Sequence, residues 1–214
     1  LSKSQSAQGR ELIARGVVPS VSLSAFRYDL SDSDRNAVAM LCAVNGMQNL
    51  SSPSPRGDQA TSYLAGDLPR NTIGAIDYCG SAVFGKEELL LLDGYETQLY
   101  NLLIGGLESL TLEVDGVPVE LTFPGPARIR VDLAGETPWI RIRVPVRADT
   151  ADATPYYERL KQDIAGLLLK LQQQGLDPVY FSKYARAQTR TFAEWKALDW
   201  RALYHRANFD IDVV

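Results

Sequence analysis

The chain has 214 residues with 22 basic and 26 acidic side chains, a formal net charge of −4. That weak acidity argues against nucleic acid as a main partner, because phosphate binding needs a concentrated positive field. With 45% hydrophobic and 22% charged residues, the composition is that of an ordinary globular protein and excludes disorder and collagen.

The chain opens on Leu1 and a polar stretch, 2–8, without a charged-then-apolar leader, and so reads as a trimmed or processed piece. Its longest aliphatic run, 89–92, is far short of the roughly 20 residues that span a bilayer, and the piece is expected to be soluble. A helix is predicted over 4–15, ended by Gly16, then an extended segment over 17–26 in which Val21 and Leu23 alternate with Ser22 and Ser24, then a polar turn over 29–34. Residues 37–44 fit a buried strand or a short helix, with strand preferred. Residues 47–71, carrying Pro53, Pro55, Gly57, Gly66 and Pro69, read as a long loop or inserted arm and as a place for an interaction segment. Paired strands follow over 72–84 and 88–92. Asp93 then caps a helix with Glu96 reaching back to it, Leu99, Leu102 and Leu103 share one face, and Gly105–Gly106 ends it.

Beyond Leu107 the pattern becomes strict alternation: Leu110, Leu112 and Val114, an Asp115–Gly116 turn, Val119, Leu121 and Phe123, then Ile129, Val131 and Leu133, then Ile140, Ile142 and Val144. This predicts a four-stranded antiparallel meander with one apolar face. A long helix capped by Thr154, with Pro155 in its first turn and Tyr157, Leu160, Ile164, Leu167, Leu168 and Leu171 on one side, supplies the cover. Two shorter helices over 178–188 and 192–204 and a last strand over 209–213 complete the chain. The fold class is α+β in two domains, 1–105 and 106–214, the second a mostly antiparallel meander covered on one face by the long helix and shorter helices. A Gly-rich βαβ turn is missing, which disfavours a nucleotide-binding doubly wound fold.

The residues that carry chemistry are few. Cys42, Cys79 and His205 are too scattered for a zinc centre, and no D-x-D-x-D-G calcium loop occurs, so neither a metal nor another cofactor is expected. His205 is the one histidine available to a Ser-His-Asp set, but no G-x-S-x-G elbow exists and a helix-end histidine explains it. Gly85-Lys86-Glu87 lacks the glycines and hydroxyl of a phosphate loop, and Glu87/Glu88 and Asp32/Asp34 read as solvated loop charges. Cys42 and Cys79 are either bridged or two buried thiols. Arg128, Arg130, Arg141 and Arg143 share the outer face of neighbouring strands near Asp132 and Glu113. They form either an interaction surface for anionic head groups or an acidic partner, or ordinary cross-strand pairing.

Two stretches resemble the Ger(x)C family, the C subunits of nutrient germinant receptors of endospore-forming bacteria. The first runs from Ile76 through Gly80-Ser81-Ala82-Val83-Phe84-Gly85-Lys86 to Leu92-Asp93-Gly94-Tyr95-Glu96-Thr97. The second is Phe192-Ala193-Glu194-Trp195-Lys196, then Trp200-Arg201-Ala202-Leu203-Tyr204 and Phe209-Asp210-Ile211-Asp212-Val213. Their order and spacing, with the meander and long helix between them, extend the resemblance over 72–214. It implies a non-catalytic lipoprotein without cofactors, acting through protein contacts. The implied partners are two integral-membrane subunits, A and B, at the outer face of the spore inner membrane, where an N-terminal lipid anchor holds the protein. This chain shows neither leader nor early cysteine, so anchor and N-terminal part are expected to lie outside it. An alternative from another class is a solute-binding module with a cleft between 1–105 and 106–214, and a third is a hydrolase centred on His205.

Overall fold

The computed structural model describes residues 5–31, 34–44, 64–65 and 76–214. Helix α1 (Gln5–Ala14) stops at Gly16, which takes a φ of 70° and sits where a Cβ would come within 2.3 Å of the Gly106 carbonyl oxygen. The extended segment expected over 17–26 runs into a helix from Leu23: α2 (Leu23–Ser31) begins where the Ser22 hydroxyl accepts the Ala25 N–H at 3.1 Å. That cap bond outweighs the short alternation of Val21 and Leu23. Asp29 and Ser31, expected in a turn, belong to the end of this helix. The loop predicted over 47–71 lies, except for Leu64 and Ala65, outside the described residues.

Strands β1 (Ala37–Val44), β2 (Ile76–Phe84) and β3 (Leu89–Leu92) form an antiparallel sheet in that order, with a bulge between Met40 and Cys42. Helix α3 (Gly94–Ile104) has the expected capping box, with Asp93 Oδ1 accepting the Glu96 N–H at 2.8 Å and Glu96 Oε2 accepting the Asp93 N–H at 3.0 Å.

The next four strands keep their hairpins and apolar faces but divide between two sheets. β4 (Ser109–Val114) and β5 (Val117–Thr122) join through Asp115 and Gly116, both at positive φ (52° and 78°), the type I′ arrangement that matches strand twist. β6 (Arg128–Asp132) and β7 (Trp139–Val144) pair in a separate sheet. Between them Pro124 and Pro126 remove the N–H groups that a continuous ladder needs. β8 (Arg147–Ala148) then joins β5, and the last strand, β9 (Asn208–Val213), pairs with β7 in parallel, a crossover the alternation did not reveal.

Helix α4 (Thr154–Gln173) fills that crossover. Thr154 is its first helical residue rather than its cap; Ala153 holds the cap position, and Asp152 Oδ1 accepts the Thr154 N–H at 3.1 Å. Its buried stripe is Tyr156, Leu160, Ile164, Leu167, Leu168 and Leu171, with Tyr157 only half-buried. The helix predicted over 192–204 is two: α5 (Phe181–Arg186) is followed by α6 (Phe192–Ala197) and α7 (Trp200–His205), because Asp199 turns the chain at a φ of 43° and caps anew by accepting the Ala202 N–H.

The fold is α+β with largely antiparallel sheets, and α4 packs on β4, β9 and α3. One core joins Leu160, Ile164 and Leu168 with Leu121, Ile140 and Ile142, and continues across Gly105–Gly106 to Val38, Val83, Leu92 and Leu99. Polar ties reinforce it. The buried Gln172 amide donates to the Tyr204 and Ala207 carbonyls at 2.8 and 2.7 Å, and Tyr95 Oη donates to Asp163 Oδ2 at 2.6 Å.

Candidate functional site

Strand period places the four arginines where the sequence put them. Ile129, Val131, Ile140, Ile142 and Ile211 point into the core, which leaves Arg128, Arg130, Arg141 and Arg143 on the outer face of β6–β7–β9. The register sets Arg128 against Arg143 and Arg130 against Arg141, like charges that repel across the ladder. On its other side β7 meets the aspartates of β9, with Arg143 3.4 Å from Asp212 and Arg141 3.9 Å from Asp210, while Arg141 also lies 3.6 Å from Asp132 at the end of β6. Each pair is exposed and so contributes little to stability. Arg128 and Arg130 have no carboxylate partner among the described residues. Glu113, expected nearby, stands on β4 in the other sheet.

A second constellation forms where the α4–α5 loop, α6, α7, the approach to β1 and the β2–β3 turn converge. Asp177 is buried; its Oδ1 accepts the Phe181 N–H at 2.8 Å, and its Oδ2 accepts the Ser182 N–H at 2.9 Å and Trp200 Nε1–H at 3.3 Å. Burial prevails over these bonds and pushes its carboxyl up to about 6. The Asp177 N–H donates to Asn36 Oδ1 at 2.7 Å, Ser182 Oγ donates to the Asp34 carbonyl at 3.0 Å, and Trp195 Nε1 donates to Asp34 Oδ2 at 2.9 Å. Trp195, Trp200 and Tyr204 form a tilted row with ring centroids 6.2 and 6.0 Å apart. The buried Tyr204 hydroxyl has no hydrogen-bond partner among the described residues, and desolvation, aided by the nearby Asp177 charge, pushes this phenol up. These groups wall a cleft of about 420 Å³, and its Asn36, Lys86 and Arg201 also line a neighbouring cleft of about 570 Å³.

The other singled-out residues are dispersed. His205 ends α7 exposed, its ring over Gly175, with no hydrogen bond to a serine or carboxylate among the described residues. Cys42 faces Tyr78 across the ladder rather than Cys79; Cys42 is exposed and Cys79 half-buried, and no disulfide joins them. Lys86 is the one member of Gly85-Lys86-Glu87 that reaches a cleft of both kinds, Glu87 and Glu88 are exposed in the β2–β3 turn, and Asp32 lies outside the described residues. Among those residues no cluster of His, Cys, Asp and Glu could hold a metal ion. Sequence reasoning missed Asp177, Asn36 and Arg201. The available signal was Asp177 itself, a carboxylate just before a short helix, where it takes that helix's first N–H groups.

These features define an α+β protein in which a long helix binds small sheets, with an arginine-faced sheet on one surface and an aspartate–aromatic cleft on another. Residues 79–214 match the family model described as spore germination B3/GerAC-like, C-terminal, more than half of the chain, and the chain belongs to that family. The fold is similar to that in the crystal structure of the GerBC protein, with a TM-score of 0.54 and 19% identity over 65% of this chain. The match covers 51% of that protein, so the chain spans about half of its length. Comparison with curated proteins finds no match.

Proposed function

We propose that this chain is the C-terminal part of the C subunit of a nutrient germinant receptor, a non-catalytic lipoprotein acting through protein contacts at the outer face of the spore inner membrane. The family match over 79–214 supports the role in germination. The observation that carries the contact role is the outer face of β6–β7–β9, where Arg128 and Arg130 stand exposed with no carboxylate partner among the described residues. Such a face fits an acidic patch on the integral-membrane A or B subunit and sets orientation more than raw affinity. A single lipid chain holds a protein to a membrane only marginally, so a lipid-anchored subunit needs further contacts. Among the described residues no helix is long and apolar enough to cross a membrane.

The test is genetic. In a sporulating host the full-length gene is deleted, or replaced by an Arg128→Glu/Arg130→Glu version, and germination is scored nutrient by nutrient. The deletion is expected to lose the response to at least one nutrient, and the charge reversal to reproduce that loss while the protein still accumulates in the spore membrane. Normal germination of the deletion strain with every nutrient overturns the receptor role. Normal germination of the reversal strain alone overturns the docking face.

The cleft favours a second reading, a small-solute-binding module. Its walls come from both 1–105 (Asp34, Asn36, Lys86) and 106–214 (Trp195, Trp200, Tyr204), and about 420 Å³ suits a small molecule. Dialysis of the chain against labelled metabolite pools tests it: a retained compound supports a solute site, and recovery of none removes this reading.

A further inference from the structure

The cleft beside Asp177 holds an imbalance between engaged and open polar groups. Each of its carboxylates already accepts protein hydrogen bonds: Asp34 from the Trp195 indole, Asp177 from two backbone N–H groups and the Trp200 indole, and Asp199 from the Ala202 N–H. Of the three cations in its wall, Lys196 stands over the Phe192 ring at 5.0 Å, whereas Lys86 and Arg201, which line both adjoining cavities, are exposed and make no ion pair or hydrogen bond among the described residues. Tyr204, in the wall of the same cleft, keeps a buried hydroxyl with no partner among the described residues, and a buried polar group in that state calls for an unseen one. What remains open in the cleft is therefore donors and positive charge. An apolar flank stands beside them: Phe192, 58% exposed, lines the cleft together with the buried Trp195–Trp200 pair.

We propose that this cleft binds a small organic anion, a carboxylate or phosphate ester on a planar apolar body, with Lys86 and Arg201 taking the acid group and the body lying along Phe192 and the tryptophans. The inference rests on the solute-binding reading above and names the chemistry of its ligand. Arginine offers the acid a planar two-pronged donor and lysine a point charge, a pairing suited to either acid. A neutral molecule of the same shape leaves both cations without a partner and gains only the apolar contact.

Fluorescence titration reads the site directly, because Trp195 and Trp200 line it and only Trp139 of the three tryptophans does not. The probes are phenylacetate, phenyl phosphate, inorganic phosphate and neutral 2-phenylethanol, added to the purified chain at up to millimolar concentration. Phenylacetate or phenyl phosphate is expected to give a saturable change, the tighter of the two identifying the acid. Inorganic phosphate, lacking the body, and 2-phenylethanol, lacking the charge, bind at least tenfold more weakly. Lys86→Ala/Arg201→Ala, at exposed positions that leave the core untouched, is expected to weaken the anions tenfold or more and leave 2-phenylethanol unchanged. Tyr204→Phe serves as a second variant with a smaller loss. If 2-phenylethanol binds as well as the anions, or the double variant binds them like the unmodified chain, the anion assignment is wrong and the solute site survives. If no probe gives a saturable change, both fall.

Discussion

Asp177 accepts three hydrogen bonds and still holds its proton more tightly than a free carboxyl does. Removing a carboxylate from water costs more than a few backbone and indole donors return, so burial raises the pKa to about 6. The sign for stability follows. A folded-state pKa above the unfolded one means the native state binds the proton better. The stabilisation is complete below about pH 4 and is lost as pH rises through about 6, on the order of 3 kcal/mol for a shift of this size. Asp177→Asn, which cannot titrate, is expected to remove that component. Its Tm should decline less than that of the unmodified chain between about pH 4 and 7, and parallel declines in thermal scans would refute the account. The local part, Asp177 before the Phe181 and Ser182 N–H groups, was available in the sequence; the burial was not, because Asn36 and Trp200 are brought to Asp177 only by tertiary packing. The arginine stripe was legible, since period 2 alone decides which face of a strand a residue takes.

Elements were readable where the signal is local and obscure where it is not. The capping box at Asp93 and Glu96 and the Asp115–Gly116 turn involve neighbours in sequence, and both form as the residues dictate. Strand pairing carries no such mark: Ile142 meets Ile211 across four helices, and only Pro124 and Pro126 hinted that the meander would break. The end of α4 offers a test of element-level constraint. Gly175 sits at a φ of 63°, and a Cβ there would lie 2.8 Å from His205 Nε2 and 3.1 Å from Cε1. The clash is with the end of an exposed side chain, whereas the left-handed backbone costs an L residue roughly 1–2 kcal/mol whatever surrounds it. Gly175→Ala is therefore expected to destabilise by about 1–2 kcal/mol in urea unfolding, His205→Ala alone by less than about 0.5 kcal/mol, and the double variant nearly as much as Gly175→Ala. Full recovery in the double variant would show that contact, not backbone, is what demands glycine.

At the scale of the whole molecule, the division at Gly105–Gly106 separates sheets in the chain but not in the core. Leu99 on α3 and Leu168 on α4 are almost wholly buried in one cluster that also takes in Val38, Val83 and Ile140. Lys170 Nζ reaches Glu96 at 2.7 Å and the Leu91 carbonyl at 3.1 Å, and Asp177 and Trp195 reach back to Asn36 and Asp34, so hydrogen bonds cross the same boundary. The sequence shows a change of pattern at that point because helix gives way to alternating strands. It does not show that α4 lies against both sides, since a helix face reads the same whichever sheet it covers. Two units that share a core lose each other's cover when either opens. Calorimetry is accordingly expected to show one transition whose calorimetric and van't Hoff enthalpies agree. Leu99→Ala and Leu168→Ala, each removing about 2–5 kcal/mol, should lower that single Tm by several degrees without splitting it. A scan in which Leu99→Ala moves an early transition and leaves a later one in place would mean that 1–105 and 106–214 fold separately, and that the cleft between them is a contact of convenience rather than a built wall.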